Sequence, residues 1–366
     1  MNITVIGAGI MGLSVARAAL KAGHAVTVLE QSAIPNEAGS SIDESRLIQH
    51  AYGGMQGYAR LVDPAFEAWD RLWDDLETNH YRQTGTLCVA EGQADWIDAS
   101  QEGLTRLGLK VDRLDRAELA ARFTPLDPPD GSWGIHVAAG GTLAARDIVR
   151  DLARWLATNG AVLRADTKVV KLDLSSGTCH LAEGGTVEGD KLVVAAGPWS
   201  SRLIGAEVRL AVSRHVSVMA EIPRVHASAW ADMPMMFSIS EGSIGNYWVP
   251  PSGSGQLTLG DHAISPPGDP DADRLIGGQE RSIAFARGAG WLRAPELYDV
   301  KSGRACYYTM TMDERFVVRP LADRVWAMAG FSGHGFKFGP LLGEQVVAAI
   351  DGKISTESVS EIAAGH

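Results

Sequence analysis

Ile3-Thr4-Val5-Ile6-Gly7-Ala8-Gly9-Ile10-Met11-Gly12 opens the chain, and an apolar run ends 18 residues later on Leu29-Glu30-Gln31. The order is strand, glycine turn, helix, second strand, acid. Gly7 permits the tight turn out of the strand, Gly9 lets backbone approach a pyrophosphate, and Gly12 lets helix and strand pack closely. Ile10 and Met11 begin the helix, so its N-terminus faces the anion. Glu30, with Gln31 beside it, stands where an adenosine ribose presents its hydroxyls. Three glycines at this spacing are weak evidence alone, but here both flanking strands and the acid accompany them. The competing reading is that residues 3–20, charged only at Arg17, form a signal or membrane segment. No basic leader or small-residue cleavage site supports it, and glycines at turn spacing oppose it.

A chain of 366 residues accommodates two domains. Its composition, 45% hydrophobic and 21% charged, is that of a soluble globular protein. The net charge of −11 disfavours nucleic acid and anionic membranes as partners. Cys88, Cys179 and Cys306 are widely spaced without a CxxC pair, so neither disulfides nor a metal site is expected. A reduced, cytoplasmic setting follows, for a monomer or small homo-oligomer.

Farther along, Phe66, Trp69, Leu72, Trp73 and Leu76 share one helical face, an aromatic stripe that reads as core. Residues 146–158 form an amphipathic helix stopped at Asn159-Gly160. A hairpin-like stretch is expected from Val162 past Leu174 and, across Ser175-Ser176-Gly177, on to Leu181. Lys191 to Val194 reads as a buried strand leading through Ala196 into a tight turn at Gly197, with Trp199 beyond. Between about 208 and 265 the pattern becomes antiparallel, and nucleotide-domain structure resumes near 315–348, with a strand at Val325–Gly330 and a helix at Gly343–Ile350. The expected fold is therefore α/β: a Rossmann-like dinucleotide domain of the GR2 type assembled from residues 1–80, 141–207 and 305–366. A β-rich substrate domain, residues 81–140 and 208–304, is inserted into it. The tail from Ser355 is expected to fray.

That interleaving, with Gly39-Ser40, Ser45-Arg46-Leu47-Ile48-Gln49-His50-Ala51-Tyr52-Gly53, Ala305-Cys306-Tyr307-Tyr308-Thr309-Met310-Thr311 and the closing Gly330-Phe331-Ser332-Gly333-His334-Gly335-Phe336-Lys337-Phe338, resembles the monomeric sarcosine oxidase and N-methyltryptophan oxidase family of D-amino-acid-oxidase-like flavoproteins. The likeness runs from residue 1 to about 350. It implies FAD, with the flavin ring at the domain interface, and oxidation of a secondary amine to an imine by hydride transfer to flavin N5, followed by hydrolysis. O2 or another electron acceptor completes the cycle, giving H2O2 when it is O2. The cofactor supplies the hard chemistry, and the protein supplies orientation and charge.

By the same resemblance, FAD contacts fall on Gly7, Gly9, Ile10, Met11, Gly12, Glu30, Gln31, Ser40, Ser45, Arg46, Val169, Ala196, Gly197, Trp199, Cys306, Met310, Gly333, His334, Gly335, Phe336 and Lys337. Cys306 occupies the position that carries FAD through a thioether; on its residue type alone it reads as a buried, inert thiol, and the flanking block 305–311 is what favours the covalent role. Cys88 and Cys179 read as structural. Lys337 would bind the substrate carboxylate, since an ammonium group in apolar surroundings calls for an anionic partner. Arg46 and Ser45 lie on the flavin face away from substrate, where a cation stabilises the reduced, anionic flavin and superoxide; the alternative for Arg46 is pairing with Asp43 or Glu44. Tyr247, His262 and Tyr308 match positions lining the substrate pocket. His334 either contacts flavin or satisfies a loop hydrogen bond, and His50 reads as a core histidine.

Three positions depart from the family. The oxygen-activating lysine falls on Thr258, a pocket histidine on Ile42, and the second cation of the carboxylate clamp on Gln49, where an amide does not replace a bidentate arginine. Three readings stay open: an amine oxidase for an N-alkyl amino acid, a dehydrogenase passing electrons to a quinone or protein acceptor, and a non-catalytic flavin-binding subunit of a larger complex.

Overall fold

A computed structural model describes residues 1–240, 242–251 and 255–366. The opening motif folds as read, with Asn2–Ile6 and Ala25–Leu29 paired in parallel and joined by the helix Ile10–Lys21. They belong to a six-stranded sheet in the order Val317–Ala322, Val325–Ala329, Lys191–Val194, Asn2–Ile6, Ala25–Leu29, Val162–Arg164. Its pairs are parallel except at the Val317–Ala322 edge. Parallel strands are covered on both faces, which is why Ile3–Ile6 and Leu192–Val194 lack polar alternation.

The first helix is seated by glycines. A Cβ on Gly12 would stand 1.9 Å from the carbonyl oxygen of Gly7, and one on Gly343 would stand 2.6 Å from the backbone of Ser14. These contacts draw the helix onto the sheet and onto the helix Gly339–Ile350. Arg17, 1% exposed, is the one charge of this helix inside the core. It reaches Asp75 and the carbonyl of Arg71 on the helix Gln56–Leu76 and Glu344 on the helix Gly339–Ile350, so its charge is paired and its donors are used.

A second, eight-stranded sheet takes the order Asp299–Met310, Ala211–Glu221, Gln256–Asp261, Ser243–Val249, Met235–Ser240, Thr86–Glu91, Ser132–Val137, Asp112–Asp115. It is antiparallel except where Met235–Ser240 meets Thr86–Glu91. One face packs on the helix Gly278–Ala289 through Trp248 and Leu259, the other on the helix Asp95–Arg106 through Ile97 and Leu104. The boundary expected at 305 falls inside the strand Asp299–Met310, a continuous edge strand of this sheet.

Four expectations need correction. The aromatic stripe is core, but its helix reaches back well beyond the stripe to Gln56 and runs through Pro64, which forgoes one helical hydrogen bond. Val162–Arg164 pairs with Ala25–Leu29 instead of entering the hairpin; the hairpin is Val169–Asp173 with Thr178–Leu181, its turn held by Asp173 accepting from the amides of Ser175 and Ser176. The late helix begins at Gly339, four residues before Gly343. The tail does not fray. Ser355 caps a final helix, Thr356–Ala363, whose Val359 and Ala363 are fully buried, and the Ala363 carbonyl accepts from Tyr58 Oη at 3.0 Å.

Val359→Asp would place a carboxylate without a partner in this seam. We expect a loss of about 3 kcal/mol in unfolding free energy, read in urea titrations; an unchanged midpoint would show that the final helix carries no stability.

Candidate active site

The dinucleotide turn is preorganised. Gly7 sits at φ +106°, where a Cβ would lie 2.4 Å from the Ala195 oxygen. Gly9 caps the first helix with no side chain, and the first turn carries no acid, so no charge of the helix itself neutralises its positive end. The Ile10 amide donates to Ser41 Oγ at 3.1 Å. Glu30 closes the far side, its carboxylate accepting from the Ala8 amide at 2.9 Å, the Ser32 amide at 3.2 Å and Asn36 Nδ2 at 2.9 Å. Burial raises its pKa against the pull of those donors.

A cavity of about 340 Å³ runs from this turn along the ends of the parallel strands. Gly7, Gly9, Ile10, Met11, Glu30, Gln31 and Ser40 line one side, and Val169, Ala196, Gly197 and Trp199 the other. Arg46, Tyr308, Gly333, Gly335 and Phe336 close its inner end. An anion-ready helix terminus, a glycine the ligand backbone can approach, and a carboxylate positioned for a ribose fit a flavin dinucleotide. Gly12, expected to contact the cofactor, faces the packing seam instead and does not line the cavity.

Beyond Arg46, Tyr308, Gly333 and Phe336 lies a larger cavity of about 670 Å³. It gathers Ser45, Gln49, Tyr247, His262, Met310, His334 and Lys337 from stretches nearly 300 residues apart, with Tyr52, Trp96 and Phe237 completing an aromatic wall. Lys337 is 4% exposed, and its Nζ donates to Tyr52 Oη at 2.7 Å. Burial pulls its pKa down to about 7. Gln49 is 5% exposed, and its Oε1 lacks a partner among the described residues. His334 is held neutral, its pKa pushed down to about 3 by burial, and its Nε2 lies 3.0 Å from the Glu314 carbonyl. The hydrogen bond read from sequence and the cavity position are thus both present. Tyr247 and Tyr308 are pushed up by burial, and His262 down, so all three are uncharged near neutrality.

The loop carrying Lys337 is held from behind. Trp69 Nε1 donates to the Lys337 carbonyl at 2.7 Å, and its ring stacks on Phe336 with centroids 6.0 Å apart. The core stripe therefore also sets the loop. Tyr52 and Trp69 are the residues that sequence reasoning left without a site role; Tyr52 stood within the quoted His50-Ala51-Tyr52-Gly53, but its link to Lys337 spans 285 positions.

Ile42 and Thr258 do not reach the Lys337 cavity. They line a third space of about 310 Å³ with Asp43, Arg46, Tyr247 and Arg304. Arg46 pairs with Asp43 at 2.5 Å, the partner foreseen, and donates to the Ser40 carbonyl at 2.6 Å, yet it still lines all three spaces. Asp43 also meets Arg304 at 3.2 Å, and the two arginines hold its pKa down against burial. Cys306 lines none of the three. It is buried opposite His215 on the strand Asp299–Met310, with its thiol pushed up to about 11 by burial. His50 is a core histidine, as read, stacked on Phe66 with Nε2 2.8 Å from Asp63.

The family model of FAD dependent oxidoreductases matches residues 2–349. Monomeric sarcosine oxidase of Bacillus sp. (strain B-0618) is 29% identical, with 94% of this chain and 90% of that protein covered. N-methyl-L-tryptophan oxidase of Yersinia pestis (strain Pestoides F) is 26% identical, with 95% and 94% covered. Among solved structures, the fructosyl amine:oxygen oxidoreductase Amadoriase I of Aspergillus fumigatus shares the fold at a TM-score of 0.81 and 18% identity, covering 97% of this chain and 87% of that one.

Glu30→Ala would leave the Ala8 and Ser32 amides and the Asn36 side chain without their acceptor. We expect a loss of about 2 kcal/mol in stability, read in urea unfolding of cofactor-free protein; a loss below ~0.5 kcal/mol would mean that the carboxylate does not hold the turn.

Proposed function

This chain belongs to the FAD dependent oxidoreductase family, and on that premise we propose that it oxidises a secondary amine, an N-alkyl amino acid, to an imine that water then hydrolyses. One observation carries the reading: a buried lysine with no carboxylate partner among the described residues, in an aromatic cavity that shares lining residues with the dinucleotide cavity. The bound flavin supplies the two-electron acceptor. The chain supplies the rest. Lys337 takes the substrate carboxylate, and Gln49 offers an amide where the resemblance calls for a second cation. The rings of Tyr52, Tyr247, Tyr308 and Phe237 exclude water and hold the alkyl amine. His262 and His334 are neutral and add no positive charge beside the amine, and the Arg46 charge that also lines this cavity is paired with Asp43. The names of the relatives, sarcosine oxidase and N-methyl-L-tryptophan oxidase, support an N-methyl amino acid as the substrate type.

Arg46 is the cation we assign to the opposite face, where it would favour negative charge on the cofactor and on O2. Thr258 brings no charge to the third space, which favours, as a second reading, a dehydrogenase with a quinone or protein acceptor. Cys306 is the position we assign to covalent attachment. Losing its proton is opposed by burial and Asp43 and assisted by Arg46, Arg304 and Arg274.

Mixing the yellow holoenzyme anaerobically with a panel of N-methyl amino acids is expected to bleach the flavin absorbance, and admitting air to restore it. Bleaching by none of them would overturn the amine reading, and bleaching without recovery in air would select the dehydrogenase. On acid denaturation Cys306→Ser is expected to release its colour to the supernatant while the parent keeps it; equal release from both would remove the covalent assignment.

A further inference from the structure

Lys337 poses a problem of charge. Its Nζ lies inside the protein, flanked by the Tyr52 ring with its centroid at 4.9 Å and the Phe338 ring at 5.6 Å. Its partner is a tyrosine hydroxyl at 2.7 Å, and among the described residues it forms no ion pair. A hydroxyl satisfies a neutral amine as well as an ammonium, since it donates as readily as it accepts. It does not balance a charge, and an ammonium buried without an anion is strongly disfavoured. Burial alone accounts for the fall of its pKa to about 7.

The proposed substrate poses the complementary problem. An N-alkyl amino acid enters as a zwitterion, yet its nitrogen must be a free amine before the adjacent carbon can be oxidised. We infer that Lys337 is unprotonated in the free enzyme and takes up the proton that the substrate ammonium gives up, so that the substrate charges the clamp that holds its own carboxylate. One N–H bond breaks on the substrate, one forms on Nζ, no electrons move, and above neutrality no proton is exchanged with bulk water. This inference rests on the amine reading above, but its central part, a neutral Lys337 that must be protonated to bind a carboxylate, does not.

The neighbours leave the titration legible. Tyr52, from the loop after Arg46–Ile48, is held well above its usual range, as are Tyr308 and Tyr247 on the strands. Tyr58 on the helix Gln56–Leu76 is raised to about 12. His334 in the same loop and His262 and His50 opposite are all lowered. Asp63 is occupied by His50, Glu314 lines the cavity rim without pairing with Lys337, and Arg46 stays charged throughout. The histidines lose their charge below their ordinary range and the tyrosines above theirs, so above pH 7 the group in this set whose charge changes is Lys337.

The first arm uses methoxyacetate, a carboxylate with no nitrogen, titrated calorimetrically into the holoenzyme in buffers of differing ionisation heat. Its affinity is expected to be constant below pH 7 and to fall about tenfold per pH unit above it, with uptake of about one proton. In Lys337→Arg, whose charge is permanent, the same affinity is expected to stay flat. Wild-type binding that is flat from pH 6 to 9 without proton uptake would overturn the inference. So would absence of binding at pH 6, where a charged lysine must take a carboxylate. The second arm uses the amine that bleaches the flavin. Its kcat/KM is expected to rise to about pH 7 and then level off in the wild type, but to keep rising about tenfold per unit in Lys337→Arg, which must send the proton to solvent. Parallel profiles would overturn the proton transfer. Should no amine react while methoxyacetate binds with proton uptake, the amine reading fails and the neutral lysine stands.

Discussion

The approach of the first helix to its neighbours, at distances that leave no room for a side chain, is the constraint on which the site depends. Gly12 against Gly7 brings the helix N-terminus to the head of the dinucleotide cavity. Gly339 against Ile10 and Gly343 against Ser14 bring up the helix that follows the Lys337 loop. Two motifs at opposite ends of the chain therefore share one packing seam. Arg17 buries its charge there under carboxylates from two other helices, which fixes how the helices are rotated about one another.

Much of this was legible because it is local. The glycine turn, its strands and Glu30 are a contiguous signal, and the Trp69 stripe declares a buried helical face by spacing alone. The failures have local causes too. Pro64 is a helix-stopping residue placed inside a helix, where tertiary packing outweighs the lost hydrogen bond. The last twelve residues are polar apart from Val359, Ile362, Ala363 and Ala364, too few for a pattern, and what seats them is Tyr58, some 300 positions away. At the site, Lys337, Gln49, Tyr247, His262 and Tyr308 do share a cavity. Ile42 and Thr258 lie across Arg46 from it, because the partition between spaces is made by side chains from distant strands. Cys306 and Tyr52 mark the limit: a residue's type says what it is able to do, and only its surroundings say at what proton affinity.

The charges are arranged asymmetrically. Arg46 is a permanent cation, kept so by Asp43, at the meeting point of three spaces. Lys337, in the large cavity, forms no ion pair among the described residues, and we infer that its charge is conditional. On that inference the site combines one fixed charge with one that responds to what enters.

The strand Asp299–Met310 has a mechanical meaning as well. At roughly 3.3 Å per residue its twelve residues span about 40 Å, and Ala211–Glu221 is laddered along nearly its whole length. It forms one edge of the eight-stranded sheet and carries Cys306 and Tyr308 toward its C-terminal end. That ladder lies wholly within the eight-stranded sheet, so what the strand brings to the site is held by the register of the sheet. Tyr308, which lines both large cavities, is thereby fixed opposite Ser213, so its place between them is set by backbone pairing and not by a loop.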